Sequence, residues 1–418
     1  MNMSRAYDKL MAMSASKSKS PSSLRLALAN RVVIADGAMG TMLQAANPSL
    51  EDFQGHEGCN EVLNITRPEL VEDIHRRYFS VGVDAVETNT FGANLANLGE
   101  YGISERIFEL AEAGARIARK AADSFSTPDV PRWVLGSLGP GTKLPTLGHA
   151  SYEELRSAYE TASQGLIEGG ADALLIETTQ DLLQAKAAVN GARTAMNRCE
   201  RDIVLIAQVT VETTGTMLLG SEIGAALNSL AALGVDVVGM NCATGPAEMS
   251  EHLRTLSKSS PVAISCMPNA GLPVLKDGGA FYPLGAKELA TSLSNFVDDY
   301  GVGLIGGCCG TTPEHLAEVV TKIHGRKVPE RKLIKEPGAS SLYQFVPFRQ
   351  DQTYMAIGER TNANGSKAFR DALIAEDWDA CVEIAKDQIR EGAHMLDLSV
   401  DYVGRDGVAD MRNLVSRL

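Results

Sequence analysis

Short runs of β-branched and other apolar residues recur eight times after Arg31, each closed by Gly, Thr, Asn or Pro and followed by a stretch with helical spacing. They are "RVVIADGAMG", "VDAVETNTFG", "RWVLGSLGP", "ADALLIETTQ", "IVLIAQVTVE", "VDVVGMNCATGP", "PVAISCMPNAG" and "GVGLIGGCCGTT". Continuous apolar runs of this length suit strands buried on both faces, as in a parallel sheet covered by helices. Between them, "PELVEDIHRRYFSVG" and "SYEELRSAYETASQGLIEGG" space their apolar residues as amphipathic helices do and end on Gly. Eight such units in about 300 residues predict an α/β fold, a (β/α)8 TIM barrel over residues 24–325, with a doubly wound open sheet as the alternative.

The pattern then changes. "RKVPERKLIKEPGASSLYQFVPFRQDQ" is basic, contains Pro and has no clear period, so residues 326–352 read as a linker. From 353 to 418 a strand, a long amphipathic helix and a second strand follow, which is the first βαβ part of a second TIM barrel. Some 65 residues cannot close a barrel of about 250, so this second domain is expected to be incomplete. Residues 1–23 carry basic residues but no apolar run of a signal peptide, and read as a disordered leader.

Composition narrows the function. The net charge of -13 leaves no positive footprint for nucleic acid or an anionic membrane, and no run approaches a membrane span. Seven cysteines in no scaffold-like spacing fit a reducing compartment, so the cytoplasm is the expected location.

Active sites of TIM barrels sit at the C-terminal ends of the strands. There the sequence places Asp36, Glu87 to Thr90, Glu177, Asn241 with Cys242, Asn269, and Cys308 with Cys309. Neighbouring strand residues point to opposite faces, so Cys308 and Cys309 reach one point only if the backbone turns, which Gly306, Gly307 and Gly310 would permit. A strained vicinal disulfide or two buried small hydrophobes would also explain the pair. Cys242, expected on the same rim, favours a metal: three thiolates around Zn²⁺ leave one tetrahedral position open, as catalytic sites do. A thiol entering that position would lose its proton and become a nucleophile. Cys59, Cys199, Cys266 and Cys381 read as structural thiols, with Cys266 nearest the rim, and His149 and His315 as surface or helix-end residues.

"DGAMGTMLQ", "ETNTFGAN", "IETTQD", "MNCATGP", "PNAGLP" and "GGCCGTTPEH" together resemble the homocysteine S-methyltransferase family, and "IGERTNANGSKAF" with "LDLSVD" resembles the start of the pterin-binding barrel that follows it in cobalamin-dependent methionine synthases. The resemblance implies zinc ligands at Cys242, Cys308 and Cys309, with Asn269 able to fill the fourth position. It implies that Asp36 and Glu177 hold the homocysteine amino group, that backbone N–H groups near Ala38 and Met39 receive its carboxylate, and that Thr88, Asn89 and Thr90 line the pocket. Glu359, Asn362 and Asp397 resemble positions near the pterin. Ala38 departs from the family, where a second Gly is frequent.

The implied activity is methyl transfer to homocysteine from methylcobalamin, held by a cobalamin-binding module absent from this chain and recharged by 5-methyltetrahydrofolate. A betaine- or S-methylmethionine-dependent methyltransferase would use the same barrel without the pterin segment. A non-catalytic zinc-binding barrel would have no use for Asp36 and Glu177.

Overall fold

A computed structural model describes residues 23–276 and 279–418, so the leader expected over 1–23 lies outside it except for Ser23. The chain divides into two compact units, one formed by residues up to Lys335 together with Ser340–Gln344, the other by Glu336–Ala339 and Phe345–Leu418.

In the first unit, eight parallel strands form the expected barrel. They are β1 (Val33–Ile34), β2 (Ala85–Glu87), β3 (Trp133–Leu138), β4 (Ala173–Thr179), β5 (Val204–Val209), β6 (Val237–Asn241), β7 (Ala263–Met267) and, after a short ribbon of β8 (Val274–Lys276) and β9 (Gly279–Phe281), β10 (Leu304–Ile305). Neighbours run β1-β10-β7-β6-β5-β4-β3-β2. Successive residues alternate between two cores, as the two-residue strand period requires. Val33, Leu135, Leu175, Ile206, Val237 and Leu304 fill the barrel; Ile34, Val134, Leu174, Leu205 and Val238 pack outward with the helices. The antiparallel β8–β9 ribbon was not anticipated, because its strands are three residues each with no long apolar run.

The seam between β1 and β2 closes through side chains. Asp84 accepts the Ile34 N–H (2.9 Å) and a bidentate pair from Arg31 (2.8 Å each), and a single backbone bond runs from Asp84 N–H to Ile34 C=O at 2.7 Å. One layer higher, Asp36 accepts the Glu87 N–H at 3.0 Å. Leu24, at the start of helix Leu24–Asn30, packs with the barrel-filling residues.

Residues 326–335, expected as part of the linker, belong to the first unit. Arg331 donates to the carbonyls of Ser260 (3.1 Å) and Val262 (2.7 Å), just beyond helix Pro246–Ser259, and Ile334 N–H bonds Lys258 C=O. Basic side chains near a helix C-terminus meet its unpaired carbonyls in this way. The connection is therefore shorter than 326–352.

The second unit contains the expected βαβ pattern. Strands Ile357–Asn362 and Met395–Ser399 pair in parallel with an irregularity between Gly358 and Thr361. Helices Lys367–Ile374, Trp378–Arg390 and Gly407–Val415 accompany them, and Phe369, Leu373, Cys381, Val400 and Leu414 form a small core. Among the described residues no helix is long and apolar enough to cross a membrane.

Candidate active site

Cys242, Cys308 and Cys309 converge, their sulfurs all within 4.8 Å of one another, and all three are free. The turn that brings them together differs from the expected one. Of the three glycines only Gly310 is left-handed (φ 77°); Gly307 is needed because a Cβ there would run into Thr311. Cys242 is itself left-handed (φ 58°), as is Ala243 (φ 55°), so the chain leaves β6 in a conformation L-residues seldom adopt. The loop bearing Cys308 and Cys309 is pinned by Cys308 N–H to Pro268 C=O (2.8 Å) and Ala270 N–H to Cys309 C=O (2.9 Å).

This donor set fits zinc. Cys242 Sγ and Cys309 Sγ are 3.9 Å apart, close to the edge of about 3.8 Å that a tetrahedron with Zn–S bonds of about 2.3 Å requires. Hydrogen bonds from Cys242, Cys308 and Tyr282 pull Cys309 down to about 3 against the push of burial. Bonding from Cys308 lowers Cys242, but its own donation to Cys309 and burial prevail and push it up to about 12. Cys308, donating to both, is raised well above the ordinary thiol range.

Beside the thiols lies a cavity of about 240 Å³, below the usual range for drug-sized ligands. Its lining includes Cys242, Cys308, Cys309, Glu61, Glu87, Glu177, Thr88, Asn89 and residues 37–41, and among the described residues no Lys, Arg or His. Burial raises Glu87 well above the carboxylate range, and the charges of Glu177 and Asp36 add to this. Asp36 is raised by burial despite its bond from Glu87 N–H, and its Oδ2 is buried without a partner. Burial also lifts Glu177 to about 7, against a 2.5 Å bond from Ser137 Oγ and one from Asn241 Nδ2 at 3.0 Å. Asp36 and Glu177 are buried and Glu87 is half-buried; burial favours the neutral form of each, and a cation entering among them would favour the charged forms instead.

The other expected residues take varied places. Ala38 N–H is already engaged by Thr311 (3.2 Å to Oγ1, 3.3 Å to C=O), so anion-binding donors are left to Met39, Gly40 and Thr41, the first turn of helix Met39–Ala46. Asn269 turns its Oδ1 to the Cys309 N–H at 3.0 Å, which holds the loop and leaves that oxygen engaged rather than directed at a metal. Thr88 and Asn89 line the cavity, whereas Thr90 bonds Thr88 (2.6 Å) and Ser137 C=O (2.8 Å) and lies outside the lining. Glu61 and Ser137 were not anticipated, and Glu87, placed on the rim by the sequence, had been given no role there. A carboxylate ending the apolar run "DAVE" was the available signal for Glu87. In the second unit Asn362 Nδ2 donates to Asp397 Oδ2 at 3.1 Å, while Glu359 is exposed.

Residues 33–323 match the homocysteine S-methyltransferase family, and the chain belongs to it. Residues 358–418 match the pterin binding enzyme family. Methionine synthase from Mycobacterium tuberculosis is 62% identical over 391 residues, and that from Mycobacterium leprae 60% over 396, in each case 94% of this chain and 33% of the relative. The chain thus spans about a third of the length of these curated relatives. Among solved structures, the metallated homocysteine methyltransferase MmuM from Escherichia coli superposes with a TM-score of 0.57 at 23% identity, covering 70% of this chain and 96% of that one, a likeness of fold.

Proposed function

We propose that this chain is the homocysteine-activating part of a methionine synthase. The observation that carries the reading is the juxtaposition of three free thiols with a small acid-lined cavity. Zinc held by Cys242, Cys308 and Cys309 would keep the homocysteine sulfur as a thiolate at neutral pH. Asp36 and Glu177 would receive the ammonium, Glu87 would add a third carboxyl to that wall, and the N–H groups of residues 39–41 would receive the carboxylate. A sulfur so placed forms the new S–CH₃ bond as the donor's bond to methyl breaks, the electron pair leaving with the donor.

The donor would be methylcobalamin, presented by a module outside this chain and recharged by 5-methyltetrahydrofolate, for which the 353–418 segment with Asn362, Asp397 and Glu359 would begin the binding domain. Seven cysteines in no scaffold-like spacing suit the reducing cytoplasm.

Zinc content with X-ray absorption at the zinc edge tests the reading. About one zinc per chain, gaining a fourth sulfur with homocysteine and lost in Cys308→Ala, is expected. No zinc under reducing, metal-replete conditions, or an unchanged sulfur count at saturating homocysteine, would overturn it. Parallel assays with methylcobalamin, betaine and S-methylmethionine identify the donor.

A further inference from the structure

Asn241 occupies an unusual position between the two halves of the site. It is buried at the end of β6, next to Cys242 in the chain, and Thr210 Oγ1 fixes its own carbonyl at 3.0 Å. Its side-chain Oδ1 accepts the N–H of Thr178 (2.7 Å), a β-branched residue held at φ 55°, where Thr is rarely found. The Nδ2 faces three acceptors: Glu177 Oε2 at 3.0 Å, Thr178 Oγ1 at 2.8 Å and Cys308 Sγ at 3.9 Å. An amide nitrogen has two hydrogens. One of the three acceptors must go short, and the long distance identifies it as the sulfur.

We propose that Asn241 is a positioning residue that couples the amine subsite to the metal-ligating thiolates, by passing an N–H from Glu177 to Cys308 when a substrate ammonium takes over Glu177. The inference rests on the homocysteine reading given above. An ammonium donating to Glu177 competes with the amide for the same carboxylate, and the released N–H has Cys308 Sγ as its remaining acceptor. A hydrogen bond to a ligating thiolate draws charge from that sulfur, which leaves the ion a stronger acceptor for the incoming fourth sulfur. Coupling between two ligands is reciprocal. A thiol that carries the amino group should therefore tighten metal retention more than one that lacks it.

The experiment measures the zinc dissociation constant of the full chain by competition with a chromophoric chelator, alone, with homocysteine and with its des-amino analogue 4-mercaptobutyrate. The sulfur-to-metal charge-transfer bands of the cobalt(II)-substituted protein supply a second readout. In the wild type, homocysteine should tighten zinc about tenfold more than the analogue, the lower end of what outer ligand partners contribute. Asn241→Asp keeps the acceptor for Thr178 and removes the N–H groups; it should weaken the zinc held in the presence of homocysteine about tenfold and abolish the difference between the two thiols. Thr178→Val removes the competing acceptor, so both remaining acceptors can be served at once. It should tighten zinc without any thiol, move the charge-transfer bands opposite to Asn241→Asp, and also abolish the difference.

A purely structural Asn241 would give no such opposed pair. Equal tightening by both thiols in the wild type, or a wild-type difference preserved in both variants, would overturn the coupling. If neither thiol affects the metal in the wild type, it is the homocysteine reading itself that fails.

Discussion

Replacing Asp84 by Ala tests whether the barrel is closed by one side chain. The carboxylate is buried, takes three hydrogen bonds from Ile34 N–H and Arg31, and has Arg132 Nη1 3.7 Å from Oδ1. Its loss orphans a buried N–H, which costs roughly 1–3 kcal/mol, and strips two part-buried guanidiniums of their counter-ion, for which breaking a buried pair gives about 3–5 kcal/mol. The two costs overlap, and we expect a loss of about 4 kcal/mol against a typical stability of about 5–15 kcal/mol. With a urea m-value of about 3 kcal/mol/M the midpoint should fall by more than about 1 M. The chain has two Trp residues, and Trp133, on β3, has the Arg31 guanidinium 5.6 Å from its ring centroid. Its fluorescence in a Trp378→Phe background reports on the seam directly. A destabilisation under about 1 kcal/mol, below the ordinary cost of an orphaned buried N–H, would refute the reasoning and leave closure to the Asp84 N–H to Ile34 C=O bond.

Glu177 should make stability depend on pH. Its carboxyl rises from 4.5 to about 7 on folding, so the folded state holds the proton more tightly. That contribution is complete below about 4.5 and is lost as pH rises through about 7. The stability advantage of wild type over Glu177→Gln should shrink by on the order of 3 kcal/mol across that window, measured by urea titration of the metal-free protein; a constant difference would count against the burial account. Gly310→Ala would place a Cβ into the ring of Tyr282 at a left-handed position and should weaken zinc at least about tenfold, with partial recovery in the Gly310→Ala/Tyr282→Ala double variant. No recovery would mean that backbone strain alone is responsible.

The barrel was legible because its strands are continuous apolar runs with turn residues at each end, a signal that survives without knowledge of contacts. The cluster of three thiols was legible because cysteine is scarce and two are adjacent. Geometry that depends on side chains meeting across the barrel was not. Nothing local marks Asp84 as a closure, Asn241 as a bridge, or Thr90 as facing Ser137 rather than the cavity. The left-handed Cys242 was hidden because neither it nor Ala243 is a residue type that signals a positive φ. Residues 326–335 looked like a linker since Arg331 binds backbone carbonyls, which leave no trace in sequence.

Cys242 and Cys309 stand 67 positions apart, with β7, the β8–β9 ribbon and β10 between them. An ion held by both would fasten that whole stretch into a ring. By the loop-closure relation, a ring of this size removes on the order of 4 kcal/mol of conformational freedom from the unfolded chain. The proposed metal centre would then also act as a staple, as other metal sites couple binding to folding. Zinc starvation would then weaken this sector of the barrel selectively, and chelation should expose cleavage sites between β6 and β10 before any elsewhere in the barrel.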